Sequence, residues 1–111
     1  MTLDELQAYI EERDTVHRAS KDGTISDRER ILLRMVKIME EVGELSDAIL
    51  GHLGHQRQAK IETQDADALK DELADVLITA LLLGKALDID VAAALENKIK
   101  KISNRTATYP F

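Results

Sequence analysis

Lys37-Ile38-Met39-Glu40-Glu41-Val42-Gly43-Glu44-Leu45 is the stretch that decides how this chain folds. Its apolar residues recur every three or four positions, the period of one helix face, and not every second position as in a half-buried strand. Read outward, the period holds from Ile31 to Leu53. Ile31, Met35, Ile38, Val42, Leu45, Ile49 and Leu53 fall on one side of a helical wheel. Lys37, Glu40, Glu41, Glu44 and Asp47 fall on the other. Upstream, Ser26-Asp27-Arg28-Glu29 has the S/T-x-x-E spacing of a capping box and predicts a helix start near Asp27. Gly51 and Gly54 predict its end.

The rest of the chain follows the same grammar. Thr2-Leu3-Asp4-Glu5 is a second capping box and starts a helix near Leu3, and the polar Ser20-Lys21-Asp22-Gly23-Thr24 is a turn. Residues 54–64 form a polar loop, a third helix runs from about Ala66 to Leu87, and Asp88 and Asp90 cap a fourth from about Val91 to Asn104. Tyr109-Pro110-Phe111 is a non-helical tail. There is no repeat and no strand-like alternation. The expected fold is all-α, an antiparallel helical bundle of about four helices in one domain over residues 1–111. In the third helix, Val76-Leu77-Ile78-Thr79-Ala80-Leu81-Leu82-Leu83 is apolar all round. A helix apolar on every side must be covered on every side. Either it threads the centre of a monomeric bundle, or the chain forms a homodimer or homotetramer through it; the small size of the bundle favours the oligomer.

Composition excludes several functions. With 111 residues there is room for one core. No Cys is present, which removes disulfides, Cys-ligated zinc and a thiol nucleophile, and fits the cytoplasm. The charge-dense first thirty residues contain no apolar signal segment, and the longest apolar run is too short to cross a bilayer, so no membrane partner is expected. A formal charge of −6 argues against a nucleic acid polymer as partner.

Two acidic pairs could carry chemistry. Residues three apart on a helix project from neighbouring turns of one face. Glu41-x-x-Glu44 and Glu72-x-x-Asp75 on adjacent antiparallel helices therefore bring four carboxylates into one patch. Like charges held so close destabilise a fold unless a cation neutralises them, and hard oxygen ligands suit Mg²⁺ or, as a substitute, Mn²⁺. The plainer alternative is a solvated helix face with partners such as Lys37–Glu41. Gly43 lies mid-helix between two of the acids, where Gly costs about 1 kcal/mol relative to Ala. A neighbouring helix or ligand passing too close for a Cβ would offset that, and the same logic applies to Gly84. His52 and His55 read as solvated loop residues. A di-iron carboxylate bundle is excluded, because it needs Glu-x-x-His pairs and no Glu has His three positions on.

The segment 37–45 together with Asp71-Glu72-Leu73-Ala74-Asp75-Val76-Leu77 resembles the MazG-like nucleotide pyrophosphohydrolases of the all-α NTP pyrophosphatase superfamily, whose pattern is E-E-x-x-E followed after a loop by E-x-x-D. The resemblance spans roughly residues 10 to 110. It implies Mg²⁺-dependent hydrolysis of a nucleoside triphosphate, a dNTP foremost, to the monophosphate and pyrophosphate. Carried over by position, Glu41, Glu44, Glu72 and Asp75 would hold metal, and Glu40 would help orient the attacking water, so that Glu40 and Glu41 are the catalytic candidates. In the C-terminal segment Lys98, Lys100, Asn104 and Arg105 would reach the phosphates, although Tyr109-Pro110 stands one residue later than in the family pattern. Lys37 would meet a phosphate or pair with Glu41. Arg13-Asp14-x-x-His17 resembles the end of the family's first helix and sets His17 on the base side, with Thr15 where the family often has an aromatic. Two other readings are a phosphoribosyl-ATP pyrophosphohydrolase and a non-catalytic helical dimerisation or antitoxin-like partner.

Overall fold

Helix punctuation, written in a few polar side chains, sets the architecture. The computed structural model describes residues 1–20, 25–54 and 66–105. These form four helices: α1 (Leu3–Ser20), α2 (Asp27–His52), α3 (Ala66–Ala86) and α4 (Val91–Ser103), with no strand among the described residues. The fold is an all-α bundle. The loop expected over residues 54–64 lies, beyond Gly54, outside the described residues, and so do His55 and the Tyr109-Pro110-Phe111 tail.

Each boundary has a local cause. At Thr2 the capping box is complete: the Glu5 N–H donates to Thr2 Oγ1 at 3.1 Å, and the Thr2 N–H to Glu5 Oε2 at 2.9 Å. Ser26 caps α2 by accepting from the Glu29 N–H at 3.1 Å. Gly54, at φ 75°, closes the other end, where its N–H reaches the Gly51 carbonyl. Asp90 caps α4 by accepting from the Ala93 N–H at 3.1 Å. Asp88 does something other than cap α4. It sits at φ 55° just past α3, where the Asp88 N–H donates to the Lys85 carbonyl and the Ile89 N–H to the Gly84 carbonyl, a Schellman termination with Asp in the usual glycine position.

Helices α2 and α3 pair as an antiparallel hairpin. Glu41 of α2 meets Glu72 and Asp75, while Leu33 and Lys37, earlier in α2, lie with Thr79 and Leu82, later in α3. Helix α1 lays across α3, tied by Lys85 Nζ to Glu11 Oε2 at 2.7 Å. The Ala92 N–H, at the start of α4, donates to Gln7 Oε1 of α1 at 3.4 Å.

The buried face of α2 differs from the apolar stripe. Arg34, Ile38, Glu41, Leu45 and Ala48 are its buried or half-buried positions at helical spacing, while Met35, Val42, Ile49 and Leu53 of the stripe are exposed. At 100° per residue the packed face is roughly 60° away from the stripe. The buried set of the described residues is correspondingly mixed, with Ile10, Ala48 and Leu82 beside Asp14, Glu41 and Thr79. Helix α3 is covered by its own chain at Thr79, Leu82 and Gly84, but Leu73 and Leu77 are open. No residue of α4 is buried.

The two mid-helix glycines separate. A Cβ on Gly84 would stand 2.8 Å from Cγ2 of Val91, so α4 begins against the bare backbone of α3. Gly43 has nothing within 4 Å of a Cβ position among the described residues, so the close approach expected there is not made by them. Two substitutions at one corner should therefore act oppositely in chemical denaturation. Gly84→Ala should destabilise by about 1 kcal/mol, overpacking of about 2 less a helix-propensity gain of about 1. Asp88→Gly should stabilise by about 1 kcal/mol, by relieving a left-handed backbone.

Candidate metal centre and adjoining cavity

The hairpin of α2 and α3 brings three of the acids together. One carboxylate oxygen from each of Glu41, Glu72 and Asp75 lies within 4.8 Å of the others. Glu41 is buried, Glu72 half-buried and Asp75 exposed, so the cluster grades from the helix seam to solvent. Lys37 Nζ approaches Glu41 Oε1 at 3.1 Å and Glu40 Oε2 at 3.4 Å. Those two acids, Glu41 first, raise the lysine's pKa. The pairing of Lys37 with Glu41 is thus made.

One ammonium does not balance this site. Glu41 Oε2 and Glu72 Oε2 are both buried without a hydrogen-bond partner. A buried carboxylate oxygen with no donor carries an uncompensated desolvation cost. Unpaired anionic oxygens in one cluster, with no nitrogen or sulfur donor in it, fit a hard divalent cation of the Mg²⁺ or Mn²⁺ class better than zinc.

Glu44 takes a different place. It is not one of the three gathered oxygens but stands beside them, exposed, and the charge of Glu41 is the first cause pushing its pKa up, followed by desolvation and by Glu72. Glu40 is exposed at the rim, held by Lys37.

Next to the cluster is a cavity of about 410 Å³ between α1, α2 and α3, with Lys37 and Glu40 at the metal end. His17 lines it from α1, beside Arg18, as does Thr79 from α3. Thr15 does not line it, and its hydroxyl donates to the Glu11 carbonyl within its own helix. The α4 candidates do not reach it either. Lys98, Lys100, Asn104 and Arg105 are exposed and absent from its lining, and Asn104 is the C-cap of α4, its N–H donating to the Lys100 carbonyl at 3.0 Å. His52, in the last turn of α2, is exposed and joins no acid cluster.

Sequence reasoning missed Arg18, Arg30 and Arg34, and quoted Asp14 only within Arg13-Asp14-x-x-His17, without a role of its own. A signal was present. Arg30, Arg34, Lys37 and Glu41 succeed one another at four- and three-residue steps, one face of α2 leading straight to the acids.

Residues 30–109 match the MazG nucleotide pyrophosphohydrolase domain. The chain belongs to this family. Curated proteins and solved structures give no match. The MazG assignment carries nucleotide pyrophosphohydrolase activity in general terms, and enzymes of the family typically depend on a divalent metal. It places the acid cluster, which by itself would be an ordinary charged patch, in a domain that handles nucleotides.

The shift at Glu44 gives a stability prediction. A carboxyl whose folded pKa is raised stabilises the fold most below its ordinary value of 4.5, and that contribution is lost as pH rises through the raised value. Glu44→Gln removes that repulsion. It should raise the melting temperature of the metal-free MazG domain at neutral pH, while reducing the further rise produced by Mg²⁺. Thermal melts with EDTA and with Mg²⁺ measure both.

Proposed function

We propose that the protein hydrolyses nucleoside triphosphates, dNTPs foremost, between the α- and β-phosphates, giving the monophosphate and pyrophosphate in a Mg²⁺-dependent reaction. The observation that carries this reading is the pair of buried, partnerless oxygens on Glu41 and Glu72, beside Asp75 and linked through Lys37 to a cavity of about 410 Å³ in a MazG domain. Glu41, Glu72 and Asp75 would hold the cation, with Glu44 adding a further carboxylate at the shoulder. A bound divalent ion supplies charge neutralisation for the polyphosphate and lowers the pKa of a coordinated water.

The chain's own groups supply the rest. Water attacks the α-phosphorus, the bond from that phosphorus to the bridging oxygen breaks, and pyrophosphate leaves with the bonding pair. Glu40, solvent-exposed on the rim, accepts the proton given up by the water. Lys37, ion-paired with both Glu40 and Glu41, can turn one N–H toward a phosphate oxygen. Lys98, Lys100, Asn104 and Arg105 would serve the phosphates from the C-terminal end of α4 and the residues just after it in a neighbouring copy.

That last role requires self-association, as a homodimer or homotetramer. Apolar surface argues for it. Met35, Val36, Met39, Val42, Leu50 and Leu53 of α2 are exposed along one side, and Leu73 and Leu77 of α3 are exposed too. Exposed apolar residues clustered on one side of a helix mark an interaction surface. The interface would therefore include the third helix but draw most of its area from the second. No helix among the described residues is long and apolar enough to cross a membrane. We take the enzyme to act in the cytoplasm on nucleotide pools, without a nucleic acid polymer as substrate.

Two experiments test this. Pyrophosphate release from a panel of NTPs and dNTPs, with phosphoribosyl-ATP as a further substrate, should be Mg²⁺-dependent. It should fall by about 10²-fold or more in Glu41→Ala and Asp75→Ala. Full activity in either variant would remove that residue from the site, and turnover of phosphoribosyl-ATP alone would reassign the substrate. Light scattering after size exclusion should give a multiple of the chain mass, reduced by Met39→Glu.

A further inference from the structure

The cavity beside the acid cluster has a lining that phosphate chemistry does not explain. Arg18, Arg30, Arg34 and Lys37 all border it, yet each lies beside an acid, Arg18 and Arg34 sharing Asp14. Arg18 Nε donates to Asp14 Oδ2 at 2.9 Å, Arg30 Nη1 to Asp27 Oδ1 at 2.8 Å, and Lys37 sits between Glu40 and Glu41. The fourth, Arg34, lies 3.6 Å from Asp14 Oδ1. A pocket for pyrophosphate should carry a net positive charge. This one is locally balanced, and Ile25, Leu33 and Leu82 form apolar wall between the charges. Its composition suits an uncharged, planar, hydrogen-bonding group, and its 410 Å³ falls in the range of about 300–1,000 Å³ usual for small-molecule sites.

Arg34 is the group that can read such a ligand. Its side chain is only 13% exposed, and it stands seven residues before Glu41, about 10 Å along the same helix, so it lies deeper in the cavity than the metal end. Asp14, 3% exposed, holds it by charge alone: Oδ1 is buried and accepts no hydrogen bond. The guanidinium is thus oriented without its N–H groups being spent on Asp14. Guanidinium groups only donate, and their fork matches two adjacent acceptors. Thr79, opposite, directs its own hydroxyl proton to the carbonyls of Asp75 and Val76.

Resting on the reading of this site as a nucleotide pyrophosphohydrolase, we propose that Arg34, positioned by Asp14, selects the nucleobase by its acceptor edge and favours 6-oxopurines. Guanine and hypoxanthine present O6 and N7 as neighbouring acceptors, whereas adenine places an amino donor at the same corner and cytosine presents an amino donor. An amino group there would face a donor fork with no acceptor.

The clean probe pair is dITP and dATP, which share sugar, triphosphate and ring system and differ in the oxo or amino character of the six-membered ring. With Mg²⁺, wild-type enzyme should favour dITP by on the order of 10- to 100-fold in kcat/KM, chiefly through KM. Arg34→Met should bring the ratio close to one, and Arg34→Lys, which has a point charge in place of a fork, should not restore it. Asp14→Asn should lower the ratio partway, because the guanidinium loses the charge that orients it. The double variant Asp14→Asn/Arg34→Met leaves no stranded buried charge, so the ratio is readable even where Arg34→Met alone does not fold. A wild-type ratio near one, or a ratio untouched by Arg34→Met and by the double variant, overturns the proposal. Absence of turnover with every nucleotide would instead overturn the proposed reaction. Calorimetric titration of dIMP against dAMP would then still decide base selection, and equal affinity would count against it.

Discussion

Everything else in this molecule is arranged around one buried carboxylate, Glu41, in the seam between α2 and α3. Removing an ionised group from water costs several kcal/mol even after the protein relaxes. Lys37 relieves one of its oxygens at 3.1 Å, and the other is left without a partner. Because α3 brings Glu72 and Asp75 to the same point, the strain is concentrated and not dispersed. The seam therefore has two ends of different character. Leu45 and Ala48 are half-buried and buried at one, and the acids gather at the other, where added positive charge would offset them. A divalent ion would then be part of the folded hairpin as well as of the reaction.

Much of the fold was legible because helix ends are written locally. Thr2 with Glu5, Ser26 with Glu29, and Asp90 with Ala93 each need only a few consecutive residues, and the helices begin where those signals stand. Which face of α2 turns inward was not legible. The wheel weighs apolar side chains and so pointed to Met35, Val42, Ile49 and Leu53, which stay exposed, while a face containing Arg34 and Glu41 is packed. Periodicity registers that a helix has an apolar side. It does not register whether that side meets the same chain or another copy.

The acids were legible as a pattern, since E-x-x-E and E-x-x-D spacing survives any crossing angle of α2 on α3. The cavity was not. Arg34 and Asp14 are twenty residues apart on different helices, and their approach depends on how α1 crosses the hairpin, which no local pattern encodes. Gly84 and Gly43 show the same divide. Both looked like close-approach positions, but among the described residues the neighbour exists at Gly84, in Val91, and not at Gly43. Gly43 lies on the side of α2 where Met39 and Leu50 are exposed, the face that a second copy would cover on the proposed reading.

The overall charge of −6 looks unsuited to an enzyme for polyanions. Distance resolves the difficulty. At physiological ionic strength charges are screened beyond about 8 Å, so the substrate responds to its immediate surroundings and not to the whole surface. Along one face of α2 those surroundings change stepwise. Glu41 and its neighbours present negative charge that a cation would offset, Lys37 lies between acid and cavity, and Arg34 and Arg30 stand beside acids of their own. Charge that is matched in place cannot attract ligands indiscriminately. What remains is the direction of its hydrogen bonds, and direction distinguishes one base from another where attraction alone would hold any nucleotide. On the proposed reading the same helix would separate two demands on the substrate: strong binding of the phosphates at the acid end, and discrimination at the arginine end.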